Sequence, residues 1–303
     1  MFRYVVKRVL LALLTILIIC VITFFAMHAV PGGPFNSEKA LDPLTIQALN
    51  ERYGLDKPLH IQFFNWMAGL VQGDFGVSLK SGREISDIIG ESFPTSALLG
   101  VMSMAVAMIS GVILGSVAAL MRNKFPDRII VFLSTLLTAV PSFVLATLLL
   151  MVFCNWLGWV DVWSAEKPNY ILPIIALSAY PMAYVTRLSK TSMLDALSQD
   201  YIRTARAKGV SRVKMIFKHA LRNSMIPVIT YAGPQLAYII TGSMVVERIF
   251  TVGGLGSKFI TAITDRDYTM IMATTVFLAT IMVVANLLCD LLYKAVDPRI
   301  KFD

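Results

Sequence analysis

Charged residues are the scarcest broad class in this sequence. They make up 15% of its 303 residues, against 56% for hydrophobic residues, and the mean hydropathy is +0.70. A soluble domain carries roughly 25% charged residues. The chain therefore has too few charged side chains to cover a surface in water, which excludes an ordinary soluble globular protein.

The charge is missing in long stretches. Windows without Asp, Glu, Lys or Arg lie between residues 8 and 38, 91 and 122, 128 and 161, 167 and 187, 222 and 247, and 267 and 290. Each is close to or longer than the roughly 20 apolar residues with which a helix spans a bilayer. The sequence predicts an all-α polytopic membrane protein with six transmembrane helices, at about 9–30, 97–121, 129–157, 170–189, 225–246 and 269–292. The first apolar run is too long for a cleaved signal peptide and no small-x-small site follows it, so we expect it to remain as the first span.

Cysteine and catalytic motifs are also scarce. Cys20, Cys154 and Cys289 fall in apolar spans without CxxC spacing, which indicates small buried hydrophobes rather than a disulfide or metal site. No GxxxxGK[ST] phosphate loop occurs, and the nearest match, GGLGSK at 253–258, has the wrong order. A membrane hydrolase is disfavoured, because nothing marks a catalytic partner for an intramembrane histidine. We expect a non-catalytic chain that binds no cofactor and no metal, so any ATP that drives it must bind another subunit.

Carboxylates are missing from the centres of the predicted spans. Ionisable groups there cost roughly 2.5–3.5 kcal/mol each on insertion scales and are usually functional. His28 near the outer end of the first span and Asp290 near the inner end of the last span come closest, and their roles stay open. The spacing of Asn286 and Asp290 favours a structural polar pair. This pattern argues against a secondary transporter that relays protons.

Lysine and arginine are distributed unevenly over the predicted loops. The side with both termini, the 122–128 loop and the 187–222 loop carries twice as many of them as the opposite side. By the positive-inside rule, both termini and the 187–222 loop are cytoplasmic. Membrane topology then explains the net charge of +8, and no nucleic acid partner is needed.

Three parts follow along the chain. Residues 1–30 form the N-terminus and first span, 31–95 an extracytoplasmic helical segment, and 96–303 a core of five spans. Within 31–95 we expect one helix from Asp42-Pro43 to Tyr53. A second amphipathic helix at 58–71 has a stripe of Ile61, Phe64, Met67, Ala68 and Val71. These helices lie in the membrane interface, shape a funnel for a solute, or pack as a cap on the bundle.

Proline and glycine interrupt the predicted spans. PGGP at 31–34 ends the first, and Pro227 opens the fifth. Gly111-x-x-x-Gly115 offers a small-residue face for close helix packing. Broken helices are typical of transporters, in which irregular backbone lines a cavity. Candidates for a translocation path, each equally compatible with simple packing, are Pro141, Ser142, Tyr180, Gly242, Ser243 and Glu247.

The most charged stretch is DYIRTARAKGVSRVKMIFKHALRNSMIP at 200–227. A first helix is predicted to continue from the fourth span, with a stripe of Met193, Leu194, Leu197, Tyr201 and Ala205. Gly209 fits a left-handed helix end and Ser211 an N-cap. The next helix has a stripe of Val213, Ile216, Phe217, Ala220 and Leu221.

Small residues accompany the positive charge in this stretch. Thr204, Ala205 and Ala207 allow another surface to come close, whereas lipid-surface helices usually carry bulky side chains. The pattern favours docking onto a protein. The alternative is an ordinary positive-inside loop that happens to be helical.

The stretch DYIRTARAKGVS…HALRNSMIPVI resembles the cytoplasmic EAA loop of ABC importer permeases of the peptide type. The resemblance extends over essentially the whole chain, closest to first permease subunits of oligopeptide importers, with dipeptide and nickel permeases as relatives. Its other motifs are VPGGPF at 30–35, YGLDKPL at 53–59, GDFGVS at 73–78, SFPTS at 92–96, VPSF at 140–143, TGSMVVERIF at 241–250, DRDY at 265–268 and DPRI at 297–300.

The resemblance implies a subunit that forms half of the translocation path for oligopeptides in a bacterial or archaeal cell (inner) membrane. The implied partners are a homologous second permease, two cytoplasmic ABC ATPases that bind ATP and Mg, and an extracytoplasmic solute-binding protein. The alternatives are a permease for dipeptides, nickel or another small solute, or a stand-alone secondary transporter.

The resemblance also implies a coupling role for the EAA-type loop at about 190–224. In the family, the short helix that ends at the loop glycine fits a groove on the ATPase and transmits its closure. That role falls on Arg203, Thr204, Ala205, Arg206, Ala207, Lys208 and Gly209, with Ser211 at the restart. Arg203 stands where many permeases have glutamate, as in the peptide subgroup.

Overall fold

The computed structural model describes residues 2–30, 47, 50, 51 and 54–296, without the side chains of 2–4, 242 and 291–296. PGGP at 31–34, the helix start expected at Asp42-Pro43 and DPRI at 297–300 lie outside the described residues. Within those residues the fold is helical, and the one extended pairing is an isolated antiparallel bridge between Val77 and Glu84.

Twelve α-helices and two π-helices are assigned in the described part of the chain. The α-helices are α1 Phe2–Ala29, α2 Leu59–Val71, α3 Ile85–Leu120, α4 Phe125–Ala139, α5 Ser142–Leu149, α6 Ile171–Ser198, α7 Asp200–Ala207, α8 Arg212–Lys214, α9 Arg222–Gly242, α10 Met244–Ile249, α11 Leu255–Asp265 and α12 Tyr268–Val296. The π-helices are π1 Leu150–Trp156 and π2 Met215–Leu221.

Four helices of the described residues are long and apolar enough to cross a membrane. They cover Val5–Ala29, Ile85–Leu120, Ile171–Ser198 and Tyr268–Asp290, and the pair Phe125–Ala139 and Ser142–Trp156, bent by 103°, makes up to five. The chain is therefore a multi-pass membrane protein. Helix α9 lies over the predicted fifth span but is not in this group, since Gln, Pro, Gly and Tyr dilute its apolar residues. A six-span topology stays a prediction.

The chain divides into two compact units. The first unit comprises residues 1–95 and 253–287, and the second comprises residues 96–252 and 288–303.

In the first unit, α2 packs on the C-terminal end of α1. The rings of Phe24 and Phe63 meet edge-to-face at 5.2 Å, and the His28 Nε2 lies 3.1 Å from the Gln62 Oε1. The predicted stripe of α2 is largely exposed, with Phe64 at 67% and Val71 at 84%. The helix is apolar on both sides, so periodicity alone could not decide which side packs.

A buried carboxylate joins two loops of the first unit. Asp267 accepts hydrogen bonds from the Ser78 hydroxyl at 2.5 Å and from the Leu79 and Met270 backbone N–H groups, each at 3.2 Å. The Thr269 hydroxyl, 2.8 Å from the Val77 carbonyl oxygen, also lies 3.0 Å from Asp267 Oδ1 and shares its one proton between them. The GDFGVS and DRDY motifs, far apart in sequence, thus meet at one residue.

In the second unit, glycines allow α3 to approach α6 closely. A Cβ built on Gly111 would lie 2.8 Å from the Val185 Cβ, and one on Gly115 would lie 2.6 Å from the Ser189 Cβ. The small-residue face expected from the GxxxG spacing is therefore a helix contact.

An ion pair joins the start of α4 to α6. Lys190 Nζ lies 2.5 Å from Asp127 Oδ1, and the Asn123 N–H donates to Asp127 Oδ2 at 2.9 Å. The Asp127 side chain is buried, so the pair holds the turn between α3 and α4 against α6.

Candidate functional site

A cavity of about 700 Å³ opens in the second unit beside the bend between α4 and α5. It is lined by Thr138, Ala139, Val140, Pro141, Ser142, Leu177, Tyr180, Pro181, Gln235, Tyr238, Ile239, Ser243, Val245 and Val246. Pro141, Ser142, Tyr180 and Ser243, all candidates from the sequence, thus meet around one space. The volume lies within the range of small-molecule sites, about 300–1,000 Å³.

The bend follows from the VPSF sequence. Helix α4 ends at Ala139, where Val140 is extended at ψ 123° and its N–H still bonds Leu136. Pro141 has no N–H to continue the ladder, and its own φ of −58° and ψ of 140° let α5 start at Ser142 in a new direction. The residues of this break, Ala139 to Ser142, line the cavity.

Glu247 and Gly242 do not line the cavity. The Ser243 hydroxyl donates a short hydrogen bond to the Glu247 carboxylate, and Glu247 is 1% exposed. Glu247 therefore lies behind the wall, where it holds the cavity residue Ser243. Gly242 ends α9 directly before Ser243.

The cavity lining carries no charged side chain. Its polar groups are the hydroxyls of Thr138, Ser142, Tyr180, Tyr238 and Ser243 and the amide of Gln235. Such groups donate to and accept from uncharged polar atoms, including peptide amides, without selecting a charge.

A tyrosine pair that sequence reasoning missed lies next to the cavity. Tyr184 is one turn beyond Tyr180 on α6, and its ring stacks on Tyr231 of α9 at 4.4 Å. The Tyr231 hydroxyl is buried without a hydrogen-bond partner among the described residues. Tyrosines at i, i+4 on α6 and at i, i+7 on α9 (Tyr231 and Tyr238) were the available sequence signal.

A second opening lies near the other end of α6. This groove of about 320 Å³ is lined by polar side chains that include Asp195, Gln199 and Asn223. Since α6 and α9 line both openings, the stacked tyrosines occupy the stretch of these helices between them.

The predicted coupling segment forms a separate short helix, α7. The helix does not continue from α6 as expected, because Gln199 is extended at φ −72° and ψ 152° and separates the two. Gly209 has a φ of +74°, the left-handed conformation predicted for the end of this segment. Ser211 occupies the N-cap position of α8, but its side chain makes no capping hydrogen bond, contrary to the prediction.

The residues of α7 divide into a buried and an exposed set. Ile202, at 1% exposure, is buried in a core cluster with Met193 and Met215. Ala205 is also buried, at 8% exposure. The small side chain of Ala205 therefore serves packing within this chain. Among residues 203–208, the exposed set is Arg203, Thr204, Arg206, Ala207 and Lys208.

The helix after Gly209 follows the predicted stripe at Ile216 and Ala220 and departs from it elsewhere. Val213 and Phe217 are exposed, whereas Met215 is buried. The reason is π2, whose i→i+5 hydrogen bonds shift the faces relative to a 3.6-residue period. Pro227 does not begin a helix, because α9 starts at Arg222 and runs through both Pro227 and Pro234.

His28 and Asp290 lie in different settings. His28 bonds Gln62 and stacks on Phe24 at 4.1 Å, so it joins α1 to α2. Asp290 is partly buried near the end of α12. No cluster of three or more His, Cys, Asp or Glu side chains that could hold a metal occurs among the described residues.

Comparison with known proteins gives two family matches. Residues 111–302 match the binding-protein-dependent transport system inner membrane component, and residues 1–100 match the N-terminal part of such membrane components. The dipeptide transport system permease protein DppB of Bacillus subtilis is 43% identical over 303 residues, which cover 99% of this chain and 98% of that protein.

Two further relatives match over their full length. The oligopeptide transport system permease protein OppB of Haemophilus influenzae is 39% identical over 306 residues, covering 100% of both chains. The glutathione transport system permease protein GsiC of Escherichia coli K12 is 38% identical over 305 residues, again covering 100% of both.

Proposed function

This chain belongs to the family of binding-protein-dependent transport system inner membrane components, and on that premise we propose that it is a transmembrane subunit of an ATP-driven peptide importer. The relatives named above are permeases of dipeptide, oligopeptide and glutathione systems. Within peptides, we propose oligopeptides as the solute. The observation that carries the proposal is the uncharged, hydroxyl-lined cavity at the α4–α5 bend.

The cavity chemistry favours peptides over nickel. A peptide presents amide donors and acceptors at every residue, which suit the hydroxyl and amide lining. A nickel ion prefers imidazole and other strong ligands, and the cavity lining supplies none. Because the lining has no charged side chain, it does not select for or against charged side chains of the peptide.

The remaining components of the transporter are proposed from the family. A homologous second permease completes the path, two cytoplasmic ATPases bind and hydrolyse ATP with Mg, and an extracytoplasmic solute-binding protein delivers the peptide. This chain is non-catalytic and sits in the cell membrane with both termini in the cytoplasm. The positive charge of its 187–222 loop supports that orientation.

The transport step is alternating access. ATP binding and hydrolysis in the partner move α7 and the helices that follow it, and the spans tilt to expose the path to one side or the other. The exposed set Arg203, Thr204, Arg206, Ala207 and Lys208 forms the ATPase-docking surface. Ala205 and Gly209 shape the segment from within, and Ser211 follows the turn.

The path runs from the cavity past the stacked Tyr184 and Tyr231 to the groove near Asp195 and Asn223. The stacked rings lie along α6 and α9 between the residues that line the two openings, which supports a role as a barrier between them. The peptide passes from the cavity to the groove when α6 and α9 separate.

Uptake of a labelled oligopeptide by the reconstituted complete transporter tests the proposal. Omitting the ATPase partner should abolish uptake, and a stand-alone secondary transporter would be indicated if uptake persisted. Gly209→Pro, or a bulky residue in place of Ala205, should abolish uptake while the permease pair still assembles. Normal uptake by both variants contradicts the coupling assignment.

A further inference from the structure

Helix α2 presents an apolar face that no other described residue covers. Its packed side places Gln62, Phe63 and Trp66 toward α1. On the opposite side, Ile61, Phe64 and Val71 are exposed, the last two to 67% and 84%. Ala68 completes this outward face.

The helix carries no charged side chain at all. Its sequence is LHIQFFNWMAGLV, and its exposed polar side chains are His60 and Asn65. A helix on a water-facing surface is normally covered by charged residues on its outer side. An outward Phe and Val on an uncharged helix instead match helices that lie in a membrane interface.

The outward face of α2 is continuous with the membrane-exposed surface of α1. Phe25 lies one turn before the end of α1, is 47% exposed, and stacks on Phe63 at 5.9 Å. The Phe63 ring meets the Phe64 ring at 5.7 Å. The apolar surface of a candidate membrane span therefore extends onto α2 through three aromatic rings.

The position of α2 is fixed by polar contacts at its start. The Gln62 side-chain amide donates to the backbone carbonyls of Lys57 at 2.7 Å and Leu55 at 3.1 Å, and its oxygen lies 3.1 Å from His28 Nε2. These contacts attach α2 to the last turn of α1. That turn is where a spanning helix reaches the headgroup region.

We propose that α2 lies in the membrane interface at the C-terminal end of α1, with Ile61, Phe64, Ala68 and Val71 against lipid. With the N-terminus in the cytoplasm, this is the outer leaflet. A binding protein that docks and leaves in each cycle would expose this face to water between encounters, whereas lipid covers it throughout. The inference concerns anchoring and does not depend on the transported solute.

Site-directed spin labelling of the complete transporter in lipid nanodiscs tests this. Cys20, Cys154 and Cys289 are first replaced by Ala, and peptide uptake must be unchanged. Single cysteines then replace Phe64 or Val71 on the outward face, and Asn65 on its polar flank as the matched control. The collision rates of each label with oxygen and with a water-soluble nickel chelate are compared.

Labels at 64 and 71 should favour oxygen and report a depth of about 5–10 Å below the headgroup boundary. The label at 65 should favour the nickel chelate. The proposal is overturned if labels at 64 and 71 collide with the chelate as freely as the label at 65. It is also overturned if they lose that access only when the solute-binding protein is added, because a protein then covers the face. Val71, at 84% exposure, is open enough to be replaced without disturbing the fold.

Discussion

Single residues set the closest contacts in the second unit. Gly115 lets α3 lie against the backbone of α6. A Cβ built on Gly115 would lie 3.0 Å from the backbone nitrogen of Lys190. Gly90, on the same helix, has open space around it. Comparing an alanine substitution at Gly115 with one at Gly90 therefore separates the loss of close packing from the gain in helix propensity.

Gly115→Ala should lower the free energy of unfolding by about 1–3 kcal/mol, because α3 and α6 must move apart. Gly90→Ala should cause no loss, and should add up to about 1 kcal/mol through helix propensity. Thermal unfolding of the purified transporter measures both. Equal shifts for the two variants would contradict the close-packing role of Gly115.

Another residue-scale contact is the tyrosine pair. Tyr231→Ala removes one of the two stacked rings between the cavity and the groove, so labelled peptide should leak from preloaded proteoliposomes without ATP. Tyr231→Phe keeps the ring and should stay closed, although it lacks the buried hydroxyl. Leak rates measured with a non-hydrolysable ATP analogue and without nucleotide give the comparison. If proteoliposomes with the Tyr231→Ala variant do not leak peptide, the tyrosine pair is not a barrier.

At the scale of elements, the ion pair of Asp127 and Lys190 holds the α3–α4 turn to α6 at a largely buried position. The pair of Asp161 and Lys167 has a similar distance, 2.6 Å, but both side chains are exposed. The Lys167 hydrogen bond lowers the pKa of the Asp161 carboxyl below its ordinary value. Burial is thus the main difference between the two pairs.

Lys190→Met should destabilise the protein by on the order of 3 kcal/mol, because it leaves the Asp127 carboxylate buried without its cation. Lys167→Met should leave the unfolding midpoint unchanged, because water already solvates Asp161. Chemical unfolding of both variants in the same detergent is the measurement. The double variant Asp127→Leu with Lys190→Met should recover most of the loss. If the double variant is as unstable as Lys190→Met, the loss of stability comes from the packing of Lys190 and not from an unpaired Asp127.

The scale of elements also shows why sequence predicts some features and misses others. Hydropathy places α1, α3, α6 and α12, because membrane insertion depends on local composition. Pro141 likewise marks the bend, since the loss of a backbone donor is local. The prediction that Val213 and Phe217 share the packed stripe was wrong because π2 breaks the 3.6-residue period, and no composition rule signals a π-helix there.

Tertiary contacts limited the prediction of the site itself. Pro141, Ser142, Tyr180 and Ser243 were named as path candidates from helix breaks and the predicted outer mouth, and that they line one cavity was not predicted. The stacking of Tyr184 on Tyr231 depends on how α6 and α9 pack, which one-dimensional periodicity does not contain. The same limit applies to α2, whose apolar residues on both sides leave the packed side undecided until α1 is in place.

At the scale of the whole molecule, each compact unit is held together by polar contacts of its own. In the first unit, Asp267 accepts hydrogen bonds from Ser78, Leu79 and Met270 and so joins segments that are distant in sequence. Asp265, two residues earlier, is exposed and makes an equally acidic control. Stability can therefore be probed in one unit at a time.

Asp267→Ala should open the 74–84 segment, at about 1–3 kcal/mol for each buried donor left unpaired. Limited proteolysis should then cut within 74–84 faster, while cleavage in the 157–170 loop of the second unit keeps its rate. Asp265→Ala should change neither rate. If Asp267→Ala speeds cleavage in both the 74–84 segment and the 157–170 loop, the variant unfolds globally, and Asp267 does not act only on its own unit.

The glycine contacts of α3 also have a mechanical consequence. Gly100 meets the backbone of Ile240 on α9, and Gly111 and Gly115 meet α6. The facing atoms are backbone atoms and side-chain atoms such as the Ile240 Cγ1 and the Val185 Cβ. Because α3 has no side chain at these three positions, a shift of α6 or α9 along α3 requires no rotamer change on α3 there.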